Sequence, residues 1–237
     1  AAIAWRGLNR RSIVMALAGV FSNMVMIGIT LVELAYGKAG LVTLLTLVSV
    51  HALILLSAGS VVLELTVARE AREDGGAPPH LWASLGSVIK GTLIHPIPLP
   101  IISGLLFAQT GWTLPVVVDK PLLLLGNAFG PISLVLVGVS LAATPLAGHW
   151  RAATEIVLSK NIVLPLLVGL SGWALGIHGL QWTVIVVAAA LPIGANVFLF
   201  AQRYDTAQEL TTASMGLSTV AALLTLSLAM LAMSWLT

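Results

Sequence analysis

An all-α polytopic membrane protein with about seven transmembrane helices is the fold class this sequence predicts, and three observations predict it. Hydrophobic residues make up 58% of the 237 and charged residues 8%, with a mean hydropathy of +1.04, far from the balance of a soluble domain. The apolar residues fall in continuous runs of helix length, where a membrane β-barrel would need alternating segments. Arginine and lysine collect in connections that alternating spans would put on one side of a bilayer.

The spans are expected at about 13–35, 40–67, 84–107, 120–143, 153–177, 181–202 and 210–236, each near the roughly 20 residues a bilayer requires. Arg6, Arg10 and Arg11 precede the first; Arg69, Arg72 and Lys90 flank the loop after the second; Arg151 precedes the fifth and Arg203 follows the sixth. Only Lys38 and Lys120 fall opposite, so the positive-inside rule sets the N-terminus of this chain in the cytoplasm and its C-terminus outside, in a multi-pass plasma (inner) membrane protein. Trp112, Trp150, Trp182 and Trp235 lie near span ends, as interfacial anchors do.

Several functions are argued against. There is no cysteine, which excludes disulfides, thiolate metal sites and cysteine nucleophiles together. Net charge is +2, and the pI of 9.3 reflects scarce acids rather than a nucleic-acid footprint. A retinal pigment needs a Schiff-base lysine in its last span, and no lysine follows Lys160. Neither H-E-x-x-H nor G-x-x-x-x-G-K-[ST] occurs, so intramembrane metalloprotease and ATPase chemistry have no motif. Neither an enzyme nor a cofactor is expected.

The stretch with the strongest chemical signal is Leu191–Tyr204, L-P-I-G-A-N-V-F-L-F-A-Q-R-Y. Pro192 removes a backbone donor inside an apolar run, Gly194 loosens the chain beside it, and Asn196 adds an amide that hydrocarbon does not tolerate alone. A break of this kind survives at membrane depth where it is buried in protein or lines a wet cavity. Broken helices at the midplane are how many secondary transporters build a substrate site. Pro192, Gly194 and Asn196 are therefore candidate substrate-binding residues.

The pattern L-P-x-G-x-x-x-F-x-F-A-x-x-Y at Leu191–Tyr204 resembles the ninth helix of the auxin efflux carrier family, the PIN-type carriers and their bacterial relatives. F-S-N-M-V-M-I-G-I-T-L-V-E-L-A-Y-G, Phe21–Gly37, resembles its fourth helix. Asn127–Ala142 resembles the seventh, and the Lys160…Pro165 segment the eighth. The resemblance covers essentially the whole chain from the fourth helix onward, so three helices of the family template precede Ala1. It implies a ten-helix fold of two inverted five-helix repeats, with helices four and nine crossing beside the substrate. On that template residues 13–69 end the first repeat and belong to the moving transport bundle, 70–81 are a cytoplasmic linker, 84–143 are scaffold helices of the second repeat, and 153–236 are its bundle helices. A homodimer through the scaffold helices is a further expectation. Ser22 and Thr30 stand where PIN-type carriers have prolines, so the first span is expected to unwind less than its counterpart.

The resemblance brings Ser22 and Asn23 into the candidate site with the three residues above. His51 falls where PIN-type carriers have a glutamine supporting the substrate; a histidine there titrates near neutral pH, and a neutral histidine bonded to a neighbouring helix is an equal alternative. Asn127 is a further candidate from the fourth span. Gly126 and Gly130 read as a site of close helix approach, and Glu33 and Glu64 as interfacial. Lys160, about 10 Å from Ala153 along a helix, reads first as snorkelling to the cytoplasmic interface and second as a countercharge for an anion, with Pro165 kinking its helix. His95, Pro96, Pro98 and Pro100 read as a structural kink. The function expected is secondary transport of a small organic anion, a carboxylate, bound by neutral dipoles. The alternative is a truncated, non-transporting subunit that assembles with a full-length carrier.

Overall fold

The computed structural model describes residues 9–73, 98–142 and 150–236. Among them the backbone is helix and turn, with one isolated antiparallel bridge between Ser22 and Ile193. Helix α1, Arg10–Ala18, starts at a reciprocal cap: Ser12 N–H donates to Asn9 Oδ1 at 2.8 Å and Asn9 N–H to Ser12 Oγ at 3.1 Å. Gly19 closes it, its N–H reaching the Met15 and Ala16 carbonyls. The chain then leaves helical geometry through Asn23 and re-enters it as a π-helical turn, Met24–Gly28, leading into α2, Ile29–Glu73. Gly37 divides α2 into arms 29–36 and 38–73. Its φ of +64° is a conformation glycine takes freely, and since nothing lies near a would-be Cβ, the dihedral alone requires glycine there.

Beyond α2 come α3 (Pro98–Gln109), α4 (Val116–Ala142) and α5 (Trp150–Leu158). A second π-helical turn, Ser159–Val163, joins α5 to α6 (Leu164–Ala174). Then α7 (Gly179–Ala190) and α8 (Asn196–Arg203) are separated by a break at 191–195, and α9 (Gln208–Leu236) closes the described chain. Among the described residues, three stretches are long and apolar enough to cross a membrane, Met24–Glu70, Trp150–Ala174 and Gln208–Leu236, with Gly179–Ala190 a shorter apolar helix.

Several boundaries differ from expectation. The spans expected at 13–35 and 40–67 meet at Gly37 without a loop, because one glycine in a left-handed conformation turns the chain between them. Residues 70–73, expected as linker, continue α2 as helix; residues 74–81 of that linker lie outside the described residues, as do Lys90, His95 and Pro96. The first span does not stay more regular for lack of its prolines. It opens at Phe21–Asn23, where the Phe21 carbonyl and the Asn23 N–H bond the extended 191–194 segment instead of a helix turn.

The buried apolar side chains form two clusters that divide at the Ser22–Ile193 bridge. The first gathers Val14, Leu17 and Phe21 with Leu56 and Leu63 of α2, Ile193, Val197 and Phe200 beside α8, and Leu210 of α9. The second joins Met24, Val32, Leu44 and Val48 to Val184, Val187 and Leu191 at the end of α7 and Leu226 of α9. Helix α9 runs past both and ties them into one body. Helix α6 docks on α7 through Trp182, whose ring lies against Gly172 and whose Nε1–H donates to the Gly169 carbonyl at 3.0 Å. Trp182 thus packs inward as well as standing near a helix start. No described atom lies within 4 Å of a Cβ built on Gly126, so the close helix approach expected there is not made among the described residues.

Candidate functional site

Two interrupted helices meet at the centre of this body. From one side α1 ends at Ala18 and the chain extends through Phe21–Asn23; from the other α7 ends at Ala190 and the chain extends through Leu191–Gly194. The segments run antiparallel and pair as a two-bond β-bridge: Asn23 N–H donates to the Pro192 carbonyl at 2.8 Å, and Gly194 N–H to the Phe21 carbonyl at 2.9 Å. Each break therefore offers the other one donor and one acceptor. Gly194 is required by contact: a Cβ there would lie 2.9 Å from the Ser22 carbonyl oxygen and 3.1 Å from the Phe21 ring.

Helix starts on both sides of the bridge point toward it. The Met24–Gly28 turn is capped by Asn23, whose Oδ1 accepts from Met26 N–H at 3.3 Å. The start of α8 has no side-chain cap, and the N–H groups of Ala195 and Asn196 have no acceptor among the described residues. Asn196 is half-buried and Ala195 exposed. An uncapped helix start of this kind presents partial positive charge.

Ser22 is 4% exposed, and its hydroxyl has no hydrogen-bond partner among the described residues. His51 lies on the 38–73 arm of α2, edge-on to the Phe21 ring at 5.4 Å, and its buried Nε2 is likewise unpartnered. The neighbouring-helix hydrogen bond considered for His51 is not made by Nε2 among the described residues. Asn127 is exposed on α4, a helix that packs against the Met24–Gly28 turn. The geometry thus brings Ser22, Asn23, His51, Pro192, Gly194 and Asn196 to one place and leaves Asn127 on a neighbouring helix.

The largest correction concerns Lys160. It does not snorkel: the residue is wholly buried, and its Nζ donates to the carbonyls of Ala189 at 2.7 Å and Leu191 at 2.6 Å. The π-helical turn Ser159–Val163 directs it inward, with Pro165 in the first turn of the helix that follows. Asn161, its neighbour, donates to the Ser218 carbonyl at 3.0 Å and accepts from the Ser218 hydroxyl at 2.6 Å. Ser218 Oγ in turn accepts from Ile193 N–H at 3.1 Å. The break after α7 is therefore satisfied on its acceptor side by Lys160 and on its donor side by Ser218. Ser218 gave no sequence signal, because serine in an apolar helix commonly bonds the preceding turn, as Ser214 does to Leu210.

At the far end of α1 and α8 lies a charged cluster. Arg10 Nε is 2.6 Å from Glu70, Arg10 donates to the Tyr204 carbonyl, Tyr204 donates to Glu64 at 3.0 Å, and Arg203 lies 3.6 Å from the same carboxylate.

An apolar helical body whose two interrupted helices cross and complete each other's backbone has the architecture of a membrane transport protein. The chain belongs to the membrane transport protein family, which includes the auxin efflux carriers: the family's model matches residues 3–230. It is also similar to a protein of Rhizobium meliloti (strain 1021) named "Putative malonate transporter", at 26% identity over 211 residues. The aligned region covers 89% of this chain and 63% of that relative's length.

Proposed function

We propose that this chain forms the crossing half of a secondary transporter for small organic anions. The observation that carries the proposal is the paired break at Phe21–Asn23 and Leu191–Gly194, with the uncapped start of α8 beside it. A carboxylate would lie against the free N–H groups of Ala195 and Asn196 and the amides of Asn23 and Asn196. Ser22 and His51 would supply further polar contacts, Pro192 and Gly194 would hold the backbone open, and Asn127 would approach from α4. Dipoles at helix starts suit an anion without a full countercharge. The relative named for malonate supports a small dicarboxylate as the substrate class.

The same reading puts the protein in the plasma membrane with seven spans of a two-repeat, five-plus-five fold. Residues 13–69 and 153–236 belong to the moving bundle, 84–143 to a scaffold that pairs with a second copy, and 70–81 to a cytoplasmic linker. The Arg10–Glu70 end would face the cytoplasm. The test is a thermal-shift titration of the purified full-length protein with malonate, succinate and acetate, beside Asn23→Ala. Saturable stabilisation of the wild type by at least one of these acids, lost in Asn23→Ala, is expected; binding at 100 times Kd would contribute about 2.7 kcal/mol. Identical responses of wild type and Asn23→Ala would move the site away from the crossing.

A further inference from the structure

We propose that Lys160 is a tethered substitute for a bound monovalent cation, and that its ammonium lets the crossing hold its shape and take an anion without Na+. This rests on the reading of the crossing as the substrate site. Where a helix ends inside a membrane protein, its last carbonyls have no intrahelical donor and the end carries about half a negative charge. At such breaks in transporters, freed carbonyls and helix C-terminal ends are the usual ligands of a coupling cation. Here the carbonyls of Ala189 and Leu191, one on either side of the last residue of α7, converge on one nitrogen at 2.7 and 2.6 Å. The nitrogen belongs to a side chain with no exposed surface.

Three further features separate this arrangement from an incidental buried lysine. First, the partners of Lys160 among the described residues are carbonyls and not a carboxylate, so its charge is coordinated there but not cancelled. The uncancelled charge favours an anion at the adjoining helix start. Second, the side chain is delivered by a π-helical turn, and the next residue, Asn161, fixes the Ser218 hydroxyl that holds Ile193 N–H. Residues 160 and 161 together serve an acceptor side and a donor side of the same break. Third, the other break has no equivalent requirement. The end of α1 closes on itself, with Gly19, Val20 and Phe21 N–H groups returning to Met15, Ala16 and Leu17 carbonyls. Of the two breaks, the one after α7 is the one whose freed carbonyls are met by a charged side chain.

The test is chemical rescue in the full-length protein. Wild type, Lys160→Ala and Lys160→Met are melted in choline, sodium and methylammonium chloride at matched ionic strength, and malonate uptake is followed in the same salts. Wild type should melt and transport alike in all three. Lys160→Ala, which leaves space beside the two carbonyls, should melt lower in choline and recover at least half the loss, saturably, in sodium or methylammonium. Lys160→Met, which fills the space without a charge, should melt lower in every salt and recover in none. Lys160→Ala melting identically in all three salts would overturn the proposal, and so would a wild type stabilised by sodium over choline. If Lys160→Ala does not fold in any salt, Lys160→Met decides: wild-type melting and uptake would show that no charge is needed and overturn it, whereas a lowered, salt-insensitive melt supports it. A wild type that binds no organic anion but gives the expected melting pattern would instead sink only the transport reading.

Discussion

Gly194 shows how tightly a single residue limits the crossing. The Ser22 carbonyl oxygen lies 2.9 Å from where an alanine Cβ would sit, and this oxygen is backbone, unable to swing aside. Gly194→Ala should therefore cost about 1–3 kcal/mol, the usual range for overpacking a filled interior, read as a lowered denaturation midpoint of the purified protein. An alanine variant as stable as wild type would mean the two breaks separate easily. His51 has a different liability, a buried nitrogen beside Phe21 with no partner among the described residues. His51→Gln keeps a polar group in that position and should leave the protein folded with a changed rate of anion uptake; an unchanged rate would reduce His51 to packing against Phe21. Lys160 is where residue-level reading of the sequence failed. The rise along its own helix suggested a side chain reaching the interface, but the partners that retain it are carbonyls 29 and 31 residues away in sequence, at a break that was read separately.

At the scale of elements, the two breaks were unequally legible. Pro192 and Gly194 announce the second, since proline removes a donor and glycine frees the backbone. The first carries no proline, and Ser22 in its place suggested a helix that stays more regular. What opens it is tertiary: an extended 191–194 segment with its own unmet backbone groups recruits Phe21–Asn23 as a partner. Local propensity cannot report a requirement that originates in another element. Pro192→Ala should restore a donor at position 192 and favour continuation of α7 toward α8. The expected outcome is loss of malonate stabilisation without a lower melting temperature in the absence of ligand; normal malonate binding by this variant would separate the break from the site. The charged cluster at the opposite end of α1 and α8 has the reverse character. It was only partly foreseen, as an interfacial Glu64, because ion pairs between distant segments leave no periodic trace in the sequence.

For the whole molecule, composition was enough to define an all-helical membrane protein, and continuous apolar runs located most of the helices. The division of its interior into two clusters on either side of the crossing was not legible, because cluster membership depends on which helices break. The orientation we propose rests on charge placement: Arg10, Arg69, Arg151 and Arg203 fall at connections that alternating spans would put on one side. A periplasm-dependent reporter enzyme fused after Thr237 should therefore be active, and the same reporter inserted within 75–79 should be silent. The reverse pattern would invert the topology and put the Arg10–Glu70 cluster outside.

The second arm of α2, 38–73, has a further consequence. At 1.5 Å per residue it runs about 54 Å, whereas bilayer hydrocarbon is about 30 Å thick. Even with ordinary tilt, one end of this rod must stand clear of the acyl chains. His51, next to Phe21, lies toward the apolar interior, while Glu64 and Glu70 ride on the projecting end with Arg203, Tyr204 and Arg10. Those ion pairs therefore sit in reach of dissolved salt, within a screening length of about 8 Å at physiological ionic strength. One continuous helix thus joins a packed contact beside the crossing to a partly exposed, ion-paired clasp at its other end.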